Sequence, residues 1–374
     1  MEATKYYIDA RNKSTLGVTY YDACSKPHAD AESIALKLGF EPRYLLGSRL
    51  SKLGKPIWKK VLLHAYNLWH AWDVKRQAKA LRSIHDSDIF VQYGFTTEAM
   101  FDVVKMLKKQ GNRIIMLIHD LETFRFEGRN KAELELLQSV DVLIVHSIPM
   151  RNRVLELGFK GKVVILQFFD YLINDNYIVN VNDNENVNNR TDDGEQINIV
   201  FAGNLSKSEF VKKLPSLPTH PNLHFNLYGL HDGTLVTNDH IHYKGVFKND
   251  DISAIEGNWG LVWDGDSLDT CAGVTGEYLR INAPFKFSLY LAKGLPVIVW
   301  EESAMAHYVE DYGVGIKVKS LDEIHDAIAT LSEEEIRKIR GNVATWSDSV
   351  RRGEMLENAL LTALHDEGKT RYES

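Results

Sequence analysis

Cysteine is nearly absent from this chain. Cys24 and Cys271 are the two in 374 residues and lie far apart, which excludes a disulfide framework and a zinc-ligand spacing. No segment approaches the roughly 20 apolar residues that a membrane-spanning helix needs. The opening MEATKYYIDARNK has no apolar signal core, so a cytoplasmic protein is the expectation. Neither a GxGxxG fingerprint nor a GxxxxGK[ST] loop occurs, which argues against nicotinamide enzymes and nucleoside triphosphatases. A basic surplus is lacking as well: 44 Lys and Arg against 51 Asp and Glu leave a formal charge of −7. A general nucleic-acid binder needs the opposite balance to release counterions.

What remains is an ordinary globular composition, 44% hydrophobic and 25% charged, in a chain too long for one typical core. Two domains are expected. One local departure is the basic stretch Arg43, Arg49, Lys52, Lys55, Lys59 and Lys60, interleaved with Leu50, Ile57 and Trp58. It reads as a solvated loop leading into a helix, with a peripheral membrane contact as the alternative.

Strand-like and helix-like segments alternate through the first half. Strands are expected at Tyr6–Ile8, Ile89–Gln92, Arg113–Ile118, Val142–Val145 and Val163–Leu166. Helices are expected at Ala29–Leu38, Pro56–Ile84, Thr97–Gln110, Lys131–Gln138 and Met150–Leu157. Such alternation implies a parallel sheet with right-handed crossovers. Residues 175–196 are rich in Asn and Asp and poor in apolar anchors, as in an exposed loop or linker. Alternation restarts with strands at Ile197–Ala202, Asn226–Tyr228, His242–Val246, Gly260–Trp263 and Leu295–Trp300, a helix at Pro284–Ala292, and a capping box from Ser332 to Glu335. The expected division is therefore 1–174, a 175–196 linker, 197–350, and a final helix and tail at 351–374. Two doubly wound α/β domains, Rossmann-like and facing each other, place the binding site in the cleft between them.

Two segments of the second half suit a diphosphate. Gly203-Asn204-Leu-Ser-Lys207 follows a strand, where glycine admits a phosphate to the backbone and Lys207 reaches it. Asn282-Ala-Pro-Phe-Lys286 opens a helix, putting Lys286 in the first turn beside unpaired N–H groups. A lysine is unfavourable at a helix N-terminus unless an anion is near.

At these residues the chain resembles a known family. The run from Gly260, LVWDGDSLDTCAGVTGEYLRINAPFKFSLYLAKGLPVIVW, is similar to the bacterial beta-1,6-galactofuranosyltransferases and to the related glucosyltransferase that adds the second sugar to serine-rich-repeat adhesins. His119-Asp-Leu-Glu122, Asp141-Val-Leu-Ile-Val-His-Ser147 and Phe169-Asp-Tyr-Leu172 agree with it. The resemblance implies a metal-independent, inverting transferase of the GT-B fold, without a cofactor, whose C-terminal domain holds UDP. By position it implies Lys207 and Lys286 on the diphosphate, Tyr228 with Gly229 near uracil and ribose, and an acceptor loop around Ser25 and His28.

Inversion needs a general base. His119 and Asp120 end a central strand facing the cleft, with Asp120 as base or orienting carboxylate and His119 either a base or a histidine bonded to backbone. His146 is read as structural, Asp264-Gly-Asp266 as a loop near the donor sugar, Glu277 as a partner for donor hydroxyls, and Cys271 as packing. The expected donor is UDP-galactofuranose or UDP-glucose, and the expected acceptor a carbohydrate, lipid-linked or on a glycoprotein. Two other readings are a non-catalytic partner subunit of another transferase and a nucleotide-sugar epimerase. The last helix, with Leu356, Leu360, Leu361 and Leu364, packs either within the chain or in a homo-oligomer.

Overall fold

Short apolar runs buried on both faces become parallel strands, because helices cover each side of the sheet. Arg113-Ile-Ile-Met-Leu-Ile118 shows the pattern, with every residue after Arg113 buried. The computed structural model describes residues 3–12, 25–47, 69, 72–94, 98–125, 130–173, 190–191 and 194–365. Its first sheet contains β1 (Lys5–Asn12), β2 (Glu41–Gly47), β3 (Asp88–Tyr93), β4 (Arg113–Ile118), β5 (Val142–Val145) and β6 (Lys162–Ile165). They are parallel, in the order β2-β1-β3-β4-β5-β6. A short antiparallel pair follows, β7 (Arg190–Thr191) and β8 (Gly194–Glu195).

The second sheet contains β9 (Ile197–Ala202), β10 (Leu223–Tyr228), β11 (Ile241–Gly245), β12 (Trp259–Val262), β13 (Val297–Trp300) and β14 (Gly315–Val318). Its order is β11-β10-β9-β12-β13-β14, again all parallel. The chain is thus a two-domain α/β protein.

Most expected elements are present, with shifted ends. The first helix runs Ser25–Lys37, four residues earlier than its apolar pattern starts. The helix expected from Met150 begins at Ile148, because the Ser147 hydroxyl caps it by accepting the Met150 N–H and Pro149 fits the first turn. Of the long helical pattern at 56–84, the part before residue 69 lies outside the described residues. From 72 the chain is helical, tightening to a 3-10 turn at Ala78–Ser83. The basic side chains from Arg49 to Lys60 and most of the 175–196 linker also lie outside. Ser332 and Glu335 form the reciprocal capping box.

The final helix, Glu354–Leu364, packs within the chain. It packs on the N-terminal domain, where Leu356, Ala359, Leu360 and Ala363 join Tyr7, Ile34, Phe90 and Ile115 in one apolar cluster. Gly353 makes the turn possible: its φ is +86°, and a Cβ there would meet the Ile34 side chain at 2.7 Å. Asp170 accepts the Met355 and Leu356 N–H groups at 3.0 and 2.8 Å, and Arg113 donates to the Ala363 and Leu364 carbonyls. Both helix ends are therefore satisfied by N-terminal residues.

Candidate active site

The C-terminal sheet reverses its winding between β9 and β12, and in such sheets the crevice past the strand ends at that point receives ligands. β9 runs out into Gly203-Asn204, and β12 into Trp263-Asp264. Lys286 stands there, in the first turn of the helix Phe285–Lys293. Its Nζ donates to the Trp263 carbonyl at 2.9 Å and lies 4.5 Å from the Phe201 ring centroid. It has no ion-pair partner among the described residues. Burial pushes its pKa down, with Asp264 opposing. An ammonium kept without a carboxylate at a helix N-terminus is unfavourable by itself, and an anion would relieve it.

Around it, Gly203 and Gly229 bring two backbones together. Gly229 has φ +137°, and a Cβ on it would sit 1.7 Å from the Gly203 oxygen. Gly203 itself faces open space, since a Cβ there would find only ordinary contact with Phe201. The Asn204 carboxamide oxygen accepts the Lys207 N–H at 3.2 Å, and Lys207 is exposed at this end of the sheet.

Two residues expected at the donor already have partners within the chain. Tyr228 is 1% exposed, its hydroxyl donating to Ala254 O and accepting from Glu256 N. The ring is a core group beneath the strand end, so its side chain is not offered to a base. Glu277 is paired with Arg280 at 2.7 Å, and Arg280 also bonds Glu302 and lies over Trp300. The carboxylate is exposed but already engaged. Cys271 is fully buried, with its thiol pushed up to about 12, as a packing residue should be.

Across from the donor end, the residues expected around the acceptor come together. His28 is on the helix Ser25–Lys37 rather than in a loop, and Ser25 is that helix's first residue. The His28 and His119 rings stack at 3.8 Å, and His119 stacks on Phe169 at 5.2 Å. Gln92 fixes the arrangement. Its amide nitrogen donates to the His28 carbonyl and to Tyr7 Oη, so its oxygen faces His119 Nε2 at 2.7 Å. His119 therefore carries its hydrogen on Nε2 and leaves Nδ1 as an acceptor. Burial first, then His28 and His146, hold His119 well below the usual histidine range.

Asp120 is the more accessible of the two candidates, its side chain 31% exposed and 3.3 Å from Arg125. Burial raises its pKa, while Arg125 and the Tyr278 hydroxyl lower it. His146 is fully buried: Nε2 donates to Ile118 O at 2.7 Å and Nδ1 accepts the Ala283 N–H at 3.1 Å. Both nitrogens are used, as a structural histidine requires. Sequence reasoning missed Gln92, Arg125 and Tyr278. Arg125 alone carried a signal, as a cation five residues beyond Asp120.

Two family models, describing the N-terminal and C-terminal domains of glucosyltransferase 3-like proteins, match residues 5–168 and 199–363. Beta-1,6-galactofuranosyltransferase WbbI of Escherichia coli K12 is 29% identical over 257 residues, covering 68% of this chain and 72% of that one. Glucosyltransferase 3 of Streptococcus parasanguinis is 24% identical over 265 residues, covering 69% and 72%. Among solved structures, Anabaena HepE in complex with UDP and glucose is similar in fold. The TM-score is 0.54 at 12% identity, over 97% of this chain and 99% of that one.

Proposed function

The chain belongs to the glucosyltransferase 3-like family and is a hexosyltransferase; we propose that it moves galactofuranose or glucose from UDP to a carbohydrate acceptor, with inversion and without a metal ion. The observation that carries the donor assignment is Lys286, an ammonium at the β9/β12 crevice with no ion-pair partner among the described residues. In the transfer, the acceptor oxygen bonds to the anomeric carbon as the bond to the β-phosphate oxygen breaks. The electron pair leaves on UDP, and Asp120 takes the hydroxyl proton. Lys286, Lys207 and the N-terminal end of the helix Phe285–Lys293 meet the charge developing on the diphosphate. Asp120 suits the base because burial raises its pKa toward the working pH while it keeps some exposure. His28 and the neutral His119 line the acceptor side.

The reading extends to a lipid-linked acceptor reached at a membrane surface. Val74, Ala78 and Leu81 bury one face of the segment 72–83, and the opposite face presents Trp72, 59% exposed, with Lys75, Arg76, Lys79 and Arg82. Residues 43–82 contain ten Lys and Arg against Asp73 alone, within a chain of net charge −7. A cationic face with tryptophan suits an anionic interface. No described helix is long and apolar enough to cross a membrane.

Calorimetric titration of UDP, without added metal, into the wild type and Lys286→Ala tests the donor site. Tight binding by the wild type and at least about tenfold loss in the variant are expected for a charge-assisted phosphate contact. A wild type that does not bind UDP would overturn the assignment and favour the partner-subunit reading.

A further inference from the structure

Tyr278 ends the helix Gly273–Tyr278 of the C-terminal domain, yet its ring is buried in the N-terminal core, in the cluster that holds Tyr93 and Leu121. Its hydroxyl accepts the N–H of Leu121, the residue after Asp120, at 3.0 Å, and it lowers the pKa of the Asp120 carboxyl. Two more bonds fasten the residues that follow. Ser147 Oγ donates to Ile281 O at 2.5 Å, and Ala283 N donates to His146 Nδ1 at 3.1 Å. The run 278–283 is therefore clamped to the ends of β4 and β5, and three residues later it reaches Lys286. The group assigned to the diphosphate and the loop that carries the candidate base share one short, clamped piece of chain.

We propose that Tyr278 is a positioning residue that sets Asp120 against the bound donor across the domain interface. The proposal rests on the assignment of Asp120 as base.

The groups around Asp120 make the effect readable. Arg125 reaches it from its own loop. Glu133 is turned to the backbone of that loop, accepting the Glu122 and Thr123 N–H groups and the Tyr93 hydroxyl. With the phenol hydroxyl removed, Arg125 is, among the described residues, the remaining group that lowers the carboxyl's pKa, so its proton affinity rises. A base must be ionised to act, so activity is lost below its pKa, and that limb moves to higher pH when the hydroxyl is removed.

Tyr278→Phe keeps the ring and its packing. The comparison uses UDP release from UDP-galactofuranose and UDP-glucose in the presence of a sugar acceptor, over a pH series, with UDP affinity measured in parallel. Expected for Tyr278→Phe are a kcat reduced about tenfold, an acidic limb of kcat/KM moved up by about half a unit or more, and an unchanged UDP affinity. Ser147→Ala, which removes a neighbouring cross-domain bond without touching Asp120, should leave the limb in place. A Tyr278→Phe enzyme with wild-type kcat and an unmoved limb overturns the proposal, as does an equal shift in Ser147→Ala. Asp120→Asn separates the two levels: if it keeps wild-type turnover, the base assignment fails. The proposal then fails with it, whereas an inactive Asp120→Asn beside a Tyr278→Phe of wild-type kcat and unmoved limb keeps the base and overturns the positioning role alone.

Discussion

The imidazole of His119, at the end of β4, lies face to face with that of His28, on the first helix, their centroids 3.8 Å apart. Burial lowers the pKa of both, so the stack is held as two neutral rings. Gln92 joins them, bonding the backbone of one and the side chain of the other.

This pairing predicts that His28→Ala damages acceptor use and spares donor binding. UDP affinity should stay within about twofold, while kcat/KM for the acceptor falls about tenfold or more. Steady-state kinetics with each substrate varied in turn, together with UDP calorimetry, decides it. A fall in UDP affinity as large as the fall in kcat/KM would move His28 out of the acceptor site.

His146 gives a pH dependence to stability. Its folded pKa is lowered to about 4 from an ordinary 6.5, because burial disfavours the charged ring. The unfolded chain thus binds a proton that the folded one refuses, and stability drops as pH falls from about 6.5 toward 4. For this one residue the loss reaches about 3 kcal/mol at most. His119 and His28 act with the same sign. Urea midpoints should decline from pH 7 to pH 5, and less steeply in His146→Gln. Equal wild-type midpoints at the two pH values would contradict the neutral assignment.

Gly229→Ala should be costly. A Cβ at 1.7 Å from the Gly203 oxygen forces one backbone away from the other, and the φ of +137° is itself strained for alanine. A loss of about 2 kcal/mol or more is expected. UDP affinity should weaken with it, since Gly203 borders the crevice proposed for the donor. Chemical denaturation and UDP titration on the same variant check both.

The tryptophan and cation face predicts binding to anionic vesicles and none to vesicles of neutral lipid. Trp72→Ala with Lys79→Glu should abolish sedimentation with phosphatidylglycerol vesicles while leaving UDP affinity unchanged, and added salt should weaken the wild-type interaction. Binding that the double variant retains would remove this face from consideration.

The sheets were legible because strands buried on both faces leave uninterrupted apolar runs: the ends of β4, β5 and β9 coincide with those runs. Strand-end chemistry was legible for a related reason, since a parallel sheet gathers its carboxyl ends along one edge. Hence Lys286, His119 and Asp120 could be named as candidates from their places near strand ends. The burial of the Tyr228 side chain was not legible, because the last residue of an interior strand still belongs to the layered core, and its hydroxyl is bonded at Ala254 and Glu256. The strand Gly315–Val318 was missed because it is a half-exposed edge of four residues. The contacts of Tyr278 with Leu121 and of His146 with Ala283 leave no local pattern, because they join residues from opposite domains. The place of the last helix was hidden likewise: its apolar stripe shows that it packs, not on what.

That last helix bears on how the chain folds during synthesis. The N-terminal sheet is made first, but Tyr7, Phe90 and Ile115 stay without their cover until Leu356 and Leu360 have emerged behind the whole C-terminal domain. The first domain to leave the ribosome is thus the last to be completed, and a chain stopped short of residue 354 would expose an apolar face on its N-terminal domain while its C-terminal sheet was already formed.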